Sequence, residues 1–167
     1  SSTEALNLPE VPKSMIVIGG GYIGAELGQM YSKFGAKVTI IEGLDTVLPG
    51  FDKDMTSLVA KNMKKTGIEI VTGAKAESAE QTDKAVTAKY SVNGASKEVT
   101  ADYLLVTVGR RPYTDGELGL DLIGVDVDER GFVKVVHHVR TSILHFFAIV
   151  DIVSCLALAP KASYYRN

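Results

Sequence analysis

Gly19-Gly20-Gly21-Tyr22-Ile23-Gly24 (GGGYIG) fits the spacing G-x-G-x-x-G, and in a turn between a strand and a helix that spacing gives each glycine its own task. Gly19 permits the tight turn, Gly21 leaves the main chain bare enough for a pyrophosphate to approach, and Gly24 lets the helix lie close on the strand. Free N–H groups at the helix start, with the positive end of its dipole, would then stabilise a diphosphate. Glu42 follows 18 positions after Gly24. At the end of a second strand, a carboxylate there can accept both hydroxyls of an adenosine ribose and repel a 2′-phosphate. No Lys or Arg lies between Glu42 and Asp52, whereas an NADP site normally needs a cation close by. The pair therefore points to NAD. Taken singly, the glycines could form a ligand-free turn and Glu42 could be an exposed strand-end charge; together, and placed between strand and helix, they favour a dinucleotide.

The elements that must position these residues follow from hydrophobic pattern. Residues 15–18, followed by Gly19, read as a fully buried strand. The spacing predicts a helix from Tyr22 to Phe34, with Ile23, Leu27, Met30, Tyr31 and Phe34 on its inner face and Gly35 at its stop. Residues 37–42 read as a second buried strand. Asp52 should open a second helix with Met55, Leu58, Val59 and Met63 inward, ending at Gly67, and a third strand follows at 68–71. Strand, helix, strand, helix, strand with short links is a parallel α/β unit with right-handed crossovers. Residues 75–80, 84–92 and 96–101 then alternate as a three-stranded antiparallel meander, with Asn93-Gly94 as a hairpin signal. A buried strand at 103–108 ends at Gly109. Residues 110–136 show turns and weak strands only, and the apolar run 146–159 reads as a buried strand plus loop. The fold class is accordingly a Rossmann-like parallel sheet whose crossover is the meander, in three layers.

Composition narrows the partners. The chain has 167 residues, 46% of them hydrophobic, with 18 Lys+Arg against 20 Asp+Glu and a net charge of -2. That is enough apolar content for a core, and it carries no basic field for nucleic acid or an anionic membrane. The apolar run is too short to cross a bilayer, and the N-terminal residues do not read as a signal peptide. Cys155 is the one cysteine, so neither an internal disulfide nor a zinc cluster is expected, in keeping with a reducing compartment.

The segments SSTEALNLPEVP, GGGYIGAE, VTIIE, LLVTVGRRP and KASYY resemble consecutive landmarks of the dihydrolipoamide dehydrogenase family, flavin-linked disulfide oxidoreductases. The resemblance implies an enzyme that passes electrons from dihydrolipoamide through a redox disulfide and FAD to NAD. In it an NAD domain, whose crossover is an antiparallel meander, is inserted within the FAD domain. It implies that residues 1–14 are a linker from the FAD domain, 15–109 the NAD domain and 110–167 a return segment. It further implies that Gly19, Gly20, Gly21, Tyr22, Ile23, Gly24, Ala25 and Glu26 wrap the NAD diphosphate, with Tyr22 and Glu26 toward the nicotinamide and flavin. Ala76 would lie beside the adenine, Gly109 near NAD and Asp151 on the flavin ribityl chain. The partners implied are the remaining FAD and dimerisation domains and a 2-oxo acid dehydrogenase complex, in the cytoplasm or, in a eukaryote, the mitochondrial matrix.

The residues also depart from the family. The first FAD fingerprint, the two-cysteine motif and the catalytic His-Glu pair have no counterpart here, so the chain is expected to bind NAD(H) without turnover. Where the pattern has Ala-Ile-Gly-Asp, this chain reads Ala148-Ile149-Val150-Asp151, and Val150 lacks the φ freedom of glycine. Leu144-His145 replace Pro-Asn, and Pro160 replaces a His. Without the resemblance, Tyr22 is helix-start packing, Glu26 a solvated first-turn carboxylate and Gly109 a strand-ending turn. His137 and His138 on a strand would face opposite sides, a surface pair and no chelate. His145 has no metal-binding partner at ligand spacing, Arg110-Arg111 read as a solvated turn or a small anion site, and Cys155 as a buried thiol. Ser14 and Ser163 lack triad context. An NADH oxidase or mercuric reductase domain, or a non-catalytic NADH-sensing module, shares the same fingerprint.

Overall fold

The computed structural model describes residues 1–114, 116 and 118–154. It divides into two compact units, residues 1–108 and 109–167. In the first, α1 (Ser2–Ala5) leads to β1 (Ser14–Ile18), α2 (Tyr22–Lys33), β2 (Lys37–Ile41), α3 (Lys53–Lys65) and β3 (Glu69–Val71). Then come β4 (Ala74–Gln81), β5 (Val86–Val92), β6 (Ala95–Ala101) and β7 (Tyr103–Val106). β1, β2, β3 and β7 form a parallel sheet in the order β3-β2-β1-β7, and β4-β5-β6 is a separate antiparallel sheet.

Residues 15–18 of β1 and Val38, Ile40 and Ile41 of β2 are apolar because both faces of the sheet are covered; the one buried polar residue between them, Thr39, donates its hydroxyl to Glu69 Oε2 at 3.3 Å. From β1, Met15 and Val17 point into the core shared with the helices, beside Val38, Ile40, Ala25, Tyr31 and Met63. Ile16 points to the other side, joining Ile41 and the meander residues Ala74, Ala88, Tyr90 and Ala101. The result is helices, parallel sheet and meander in three layers. The meander carries the chain from β3 to β7 beside β1, doing the work of a crossover helix. Its β5–β6 hairpin turns on Asn93 and Gly94, both at positive φ, the two-residue turn whose twist matches its strands.

Both helices keep part of the expected face, with Leu27, Met30 and Tyr31 of α2 and Val59 and Met63 of α3 on the core, but each departs from it elsewhere. In α2 the buried residues are Gly24, Ala25, Gly28 and Tyr31. This small-residue face brings the helix close enough that a Cβ on Gly28 would stand 3.3 Å from Ile40 Cδ1. Bulky side chains are thereby displaced to the flanks: Phe34 is 61% exposed and meets Tyr31 edge-on at 6.3 Å between ring centres. In α3 the buried residues are Thr56 and Met63, with Val59 and Ala60 packed against the same core. Met55 and Leu58 are 62% and 54% exposed. The inward stripe holds a polar residue because the Thr56 hydroxyl is satisfied by donating to Lys53 O at 3.2 Å. Asp52 caps α3, its carboxylate accepting the Asp54 N–H at 2.9 Å.

The second unit has a small core of Val125, Val133, Ala148 and Val153. Its regular pairing among the described residues is limited to the isolated bridges Val127–Val133 and Arg140–Phe147. The buried strand expected from residue 146 is not formed in the described part: Phe146 and Phe147 are 46% and 56% exposed, and a 3₁₀ turn occupies Val150–Ile152. With one bridge in place of a ladder, nothing holds that run extended. His137–Val139 is likewise a 3₁₀ turn, with His138 at φ 60. Both histidines are exposed, and no cluster of three His, Cys, Asp or Glu suited to a metal occurs among the described residues. No helix among them is long and apolar enough to cross a membrane. Cys155, Pro160, Ser163 and the KASYY landmark lie outside the described residues.

Candidate dinucleotide site

Gly19 leaves β1 at φ +101, a conformation that L side chains rarely adopt, and its N–H donates to Ile41 O at 2.9 Å. The chain then swings beneath α2. Helix and turn meet so closely that a Cβ on Gly24 would stand 2.0 Å from Gly19 O and 2.7 Å from Thr107 Oγ1. No side chain fits there. Gly21 is the opposite case, since a Cβ built on it meets nothing within 4 Å. It is the N-cap of α2, at φ -66, and its bare backbone faces open space that a group from outside the fold could enter. The first intrahelical bond runs from Ala25 N–H to Gly21 O at 2.9 Å. The N–H groups of Tyr22, Ile23 and Gly24 therefore have no acceptor one turn back within the helix.

Glu42 faces this loop and is 8% exposed. One carboxylate oxygen accepts the Gly20 N–H at 2.6 Å, and the other accepts the Leu44 N–H at 2.8 Å. It is thus a buried, oriented acceptor and not a free strand-end charge. A carboxylate has about four acceptor positions, so capacity for ribose hydroxyls remains. Gly20 is enclosed from above as well: a Cβ there would stand 2.8 Å from Val47 Cγ1 and 3.2 Å from Glu42 Oε2. Leu48 N–H donates to Gly20 O at 2.7 Å.

Nine of the residues singled out from sequence are brought together here: Gly19 to Glu26 around the turn, and Glu42 across it. Tyr22 is half-exposed and with Glu26, Gln29, Met30 and Leu48 lines a groove of about 470 Å³. Glu26 stands in the second turn of α2, since the helix begins at Tyr22 and its first turn holds no acid; the first-turn placement expected for it is corrected. Ala76 is exposed on β4, beside the register shift between Ala76 and Ser78. Two residues earlier, Ala74 N–H donates to Glu42 O at 2.9 Å. Gly109 and Asp151 belong to the second unit. Gly109 turns at φ +86, and Asp151 is paired with Arg110 Nη2 at 2.6 Å, both half-exposed.

Sequence reasoning missed Val47, Leu48 and Thr107. The signal for the first two was present as apolar residues inside a loop, next to Pro49. Thr107 was hidden in an apolar strand, as a polar residue at its exit.

Residues 1–164 match the Pyridine nucleotide-disulphide oxidoreductase family. The chain is 56% identical over 163 residues to the dihydrolipoyl dehydrogenase of Geobacillus stearothermophilus, covering 98% of this chain and 34% of that protein. It is 50% identical over 165 residues to the enzyme of the same name from Bacillus subtilis, with 98% and 35% covered. Among solved structures it resembles the HOCl-induced flavoprotein disulfide reductase RclA from Escherichia coli. There the TM-score is 0.83 at 31% identity, covering 96% of this chain and 36% of that one. The chain thus spans about a third of the length of these relatives. A match across nearly every residue, on a parallel sheet with a meander crossover, settles the kinship: the chain belongs to the pyridine nucleotide-disulphide oxidoreductase family.

Proposed function

We propose that the Gly19–Gly24 turn and Glu42 bind NAD(H) for a flavin-linked enzyme of the dihydrolipoamide dehydrogenase kind. The observation that carries this reading is Glu42: its carboxylate reaches across 22 residues to Gly20 N–H at 2.6 Å, within a turn whose next residue, Gly21, is open to an incoming group. The residues fit the dinucleotide. Gly21 admits the diphosphate to bare backbone, the first N–H groups of α2 donate to it, and the helix dipole offsets its charge. Glu42 grips the adenosine ribose and, by charge, disfavours a 2′-phosphate. NAD, when bound, would supply a nicotinamide ring able to accept hydride, and this chain would contribute its position. Tyr22 and Glu26 are proposed to border the nicotinamide end.

On the flavin side, the one carboxylate assigned, Asp151, is already engaged by the Arg110 guanidinium at 2.6 Å. Work on dihydrolipoamide, a redox-active disulfide and assembly with a 2-oxo acid dehydrogenase complex belong to the proposed longer enzyme. Phe51, Met55 and Leu58, each more than half exposed on one stretch, favour such a larger protein over a self-contained NADH sensor. The test is a fluorescence titration of the chain with NADH and NADPH, alongside an absorption spectrum for flavin. NADH should bind more tightly than NADPH, and Glu42→Arg should reverse the order. Equal affinities before and after the substitution would remove Glu42 from the site.

A further inference from the structure

We propose that Thr107 is the positioning residue of the diphosphate-binding turn, an inference that rests on the NAD(H) reading of that turn. Thr107 stands just past the end of β7, and its N–H donates to Ile18 O at 2.8 Å, carrying the β1–β7 ladder one residue beyond the strands. Its hydroxyl then does something the ladder does not require. Thr107 Oγ1 lies 3.0 Å from Ile18 O and 2.9 Å from Gly19 O, in donor geometry to both. One proton is thus shared between two consecutive carbonyls at the point where the chain leaves the sheet.

The same oxygen occupies the angle between the first and third glycines of the fingerprint. A Cβ on Gly24 would stand 2.7 Å from Thr107 Oγ1, and one on Gly19 would stand 3.1 Å from it. Thr107 is therefore the floor on which the closest approach in the site is built. Gly19 at φ +101 is held at both ends, its N–H by Ile41 O and its carbonyl by Thr107. With that peptide fixed, the directions of the Gly21 N–H and the first N–H groups of α2 are set before any ligand arrives. Gly19 O is pressed against Gly24, beneath the helix, where water cannot replace a lost donor cheaply. A β-branched residue is suited to the task because its χ1 is restricted.

A purely structural role would show in stability alone, whereas a positioning role must separate the two halves of the ligand. NADH and ADP-ribose present a diphosphate to the turn, while adenosine presents only the ribose and base that Glu42 faces. The experiment titrates the 167-residue chain with NADH and measures competition by ADP-ribose and adenosine, for wild type, Thr107→Val, Thr107→Ser and Thr107→Ala. Thr107→Val keeps the shape and removes the donor. It should weaken NADH and ADP-ribose about tenfold, which is about 1.4 kcal/mol, with adenosine within about twofold and NADH binding restored by Thr107→Ser. Unchanged NADH affinity in Thr107→Val, or a parallel loss of all three ligands, overturns the proposal. If Thr107→Val does not fold, Ser against Ala decides, since equal NADH affinities of those two would overturn it as well. A wild-type chain that binds adenosine but neither diphosphate ligand, or none of the three, would instead bring down the dinucleotide reading, and this inference with it.

Discussion

Gly20 donates its N–H to the Glu42 carboxylate at 2.6 Å, so the acid proposed to select the nucleotide is also part of what holds the glycine turn in shape. Ligand choice and loop geometry therefore meet in one side chain. Glu42→Gln should expose this double duty. The amide keeps one acceptor oxygen for two N–H donors, Gly20 and Leu44, and one of them must face an NH₂ group. Thermal denaturation should show a loss of about 1–3 kcal/mol. An unshifted melting temperature would mean that the two bonds do not form in solution.

Two glycines three residues apart should respond in opposite ways. Gly21→Ala adds a methyl into open space at an ordinary φ, so stability should change by less than about 1 kcal/mol while NADH binding is lost. Gly24→Ala puts a methyl 2.0 Å from Gly19 O, and the helix must lift from the sheet. Its cost should reach about 3 kcal/mol or more. Circular dichroism melts with NADH titration separate the cases; a Gly21→Ala chain that binds NADH normally would show that the diphosphate does not pass there.

The orientation of α3 can be checked with its own methionines. Met63 is 1% exposed, and Met63→Ala should cost about 2–5 kcal/mol. Met55 is 62% exposed, and Met55→Glu should stay within about 0.5 kcal/mol of wild type. Urea denaturation of the two variants would reveal a rotated helix by reversing their order.

Alkaline pH should act through Tyr31. Its hydroxyl donates to Ala5 O, and burial, with Tyr103 nearby, raises its pKa above 10.0. The folded state holds this proton more tightly than the unfolded state does. The contribution is thus complete below the ordinary tyrosine value and is lost as pH rises through the folded one. Melting temperature should fall more steeply above about pH 10 in wild type than in Tyr31→Phe. Parallel curves would place Tyr31 outside the alkaline transition.

What could be read in advance was local. The strand-turn-helix around GGGYIG, the cap at Asp52 and the hairpin at Asn93-Gly94 depend on neighbours within a few residues, and each stands where the spacing puts it. Helix faces were harder, because Met55 and Thr56 are adjacent and only the packing against the sheet decides which turns inward. The apolar run from Phe146 misled for a related reason: hydrophobicity alone does not supply a partner strand. The role of Thr107 was beyond reach, since its bond to Gly19 O spans 88 residues and one polar residue at the exit of an otherwise apolar strand names no partner.

The meander has a consequence for synthesis. A nascent chain that has emerged from the ribosome as far as Asn93 already carries every glycine of the fingerprint and the acid opposite them, but not the strand that pins the turn. On the proposed NAD(H) reading, nucleotide capture would wait until the last parallel strand has docked, and a product truncated within the meander would carry the motif without the Thr107 contact to Gly19 O.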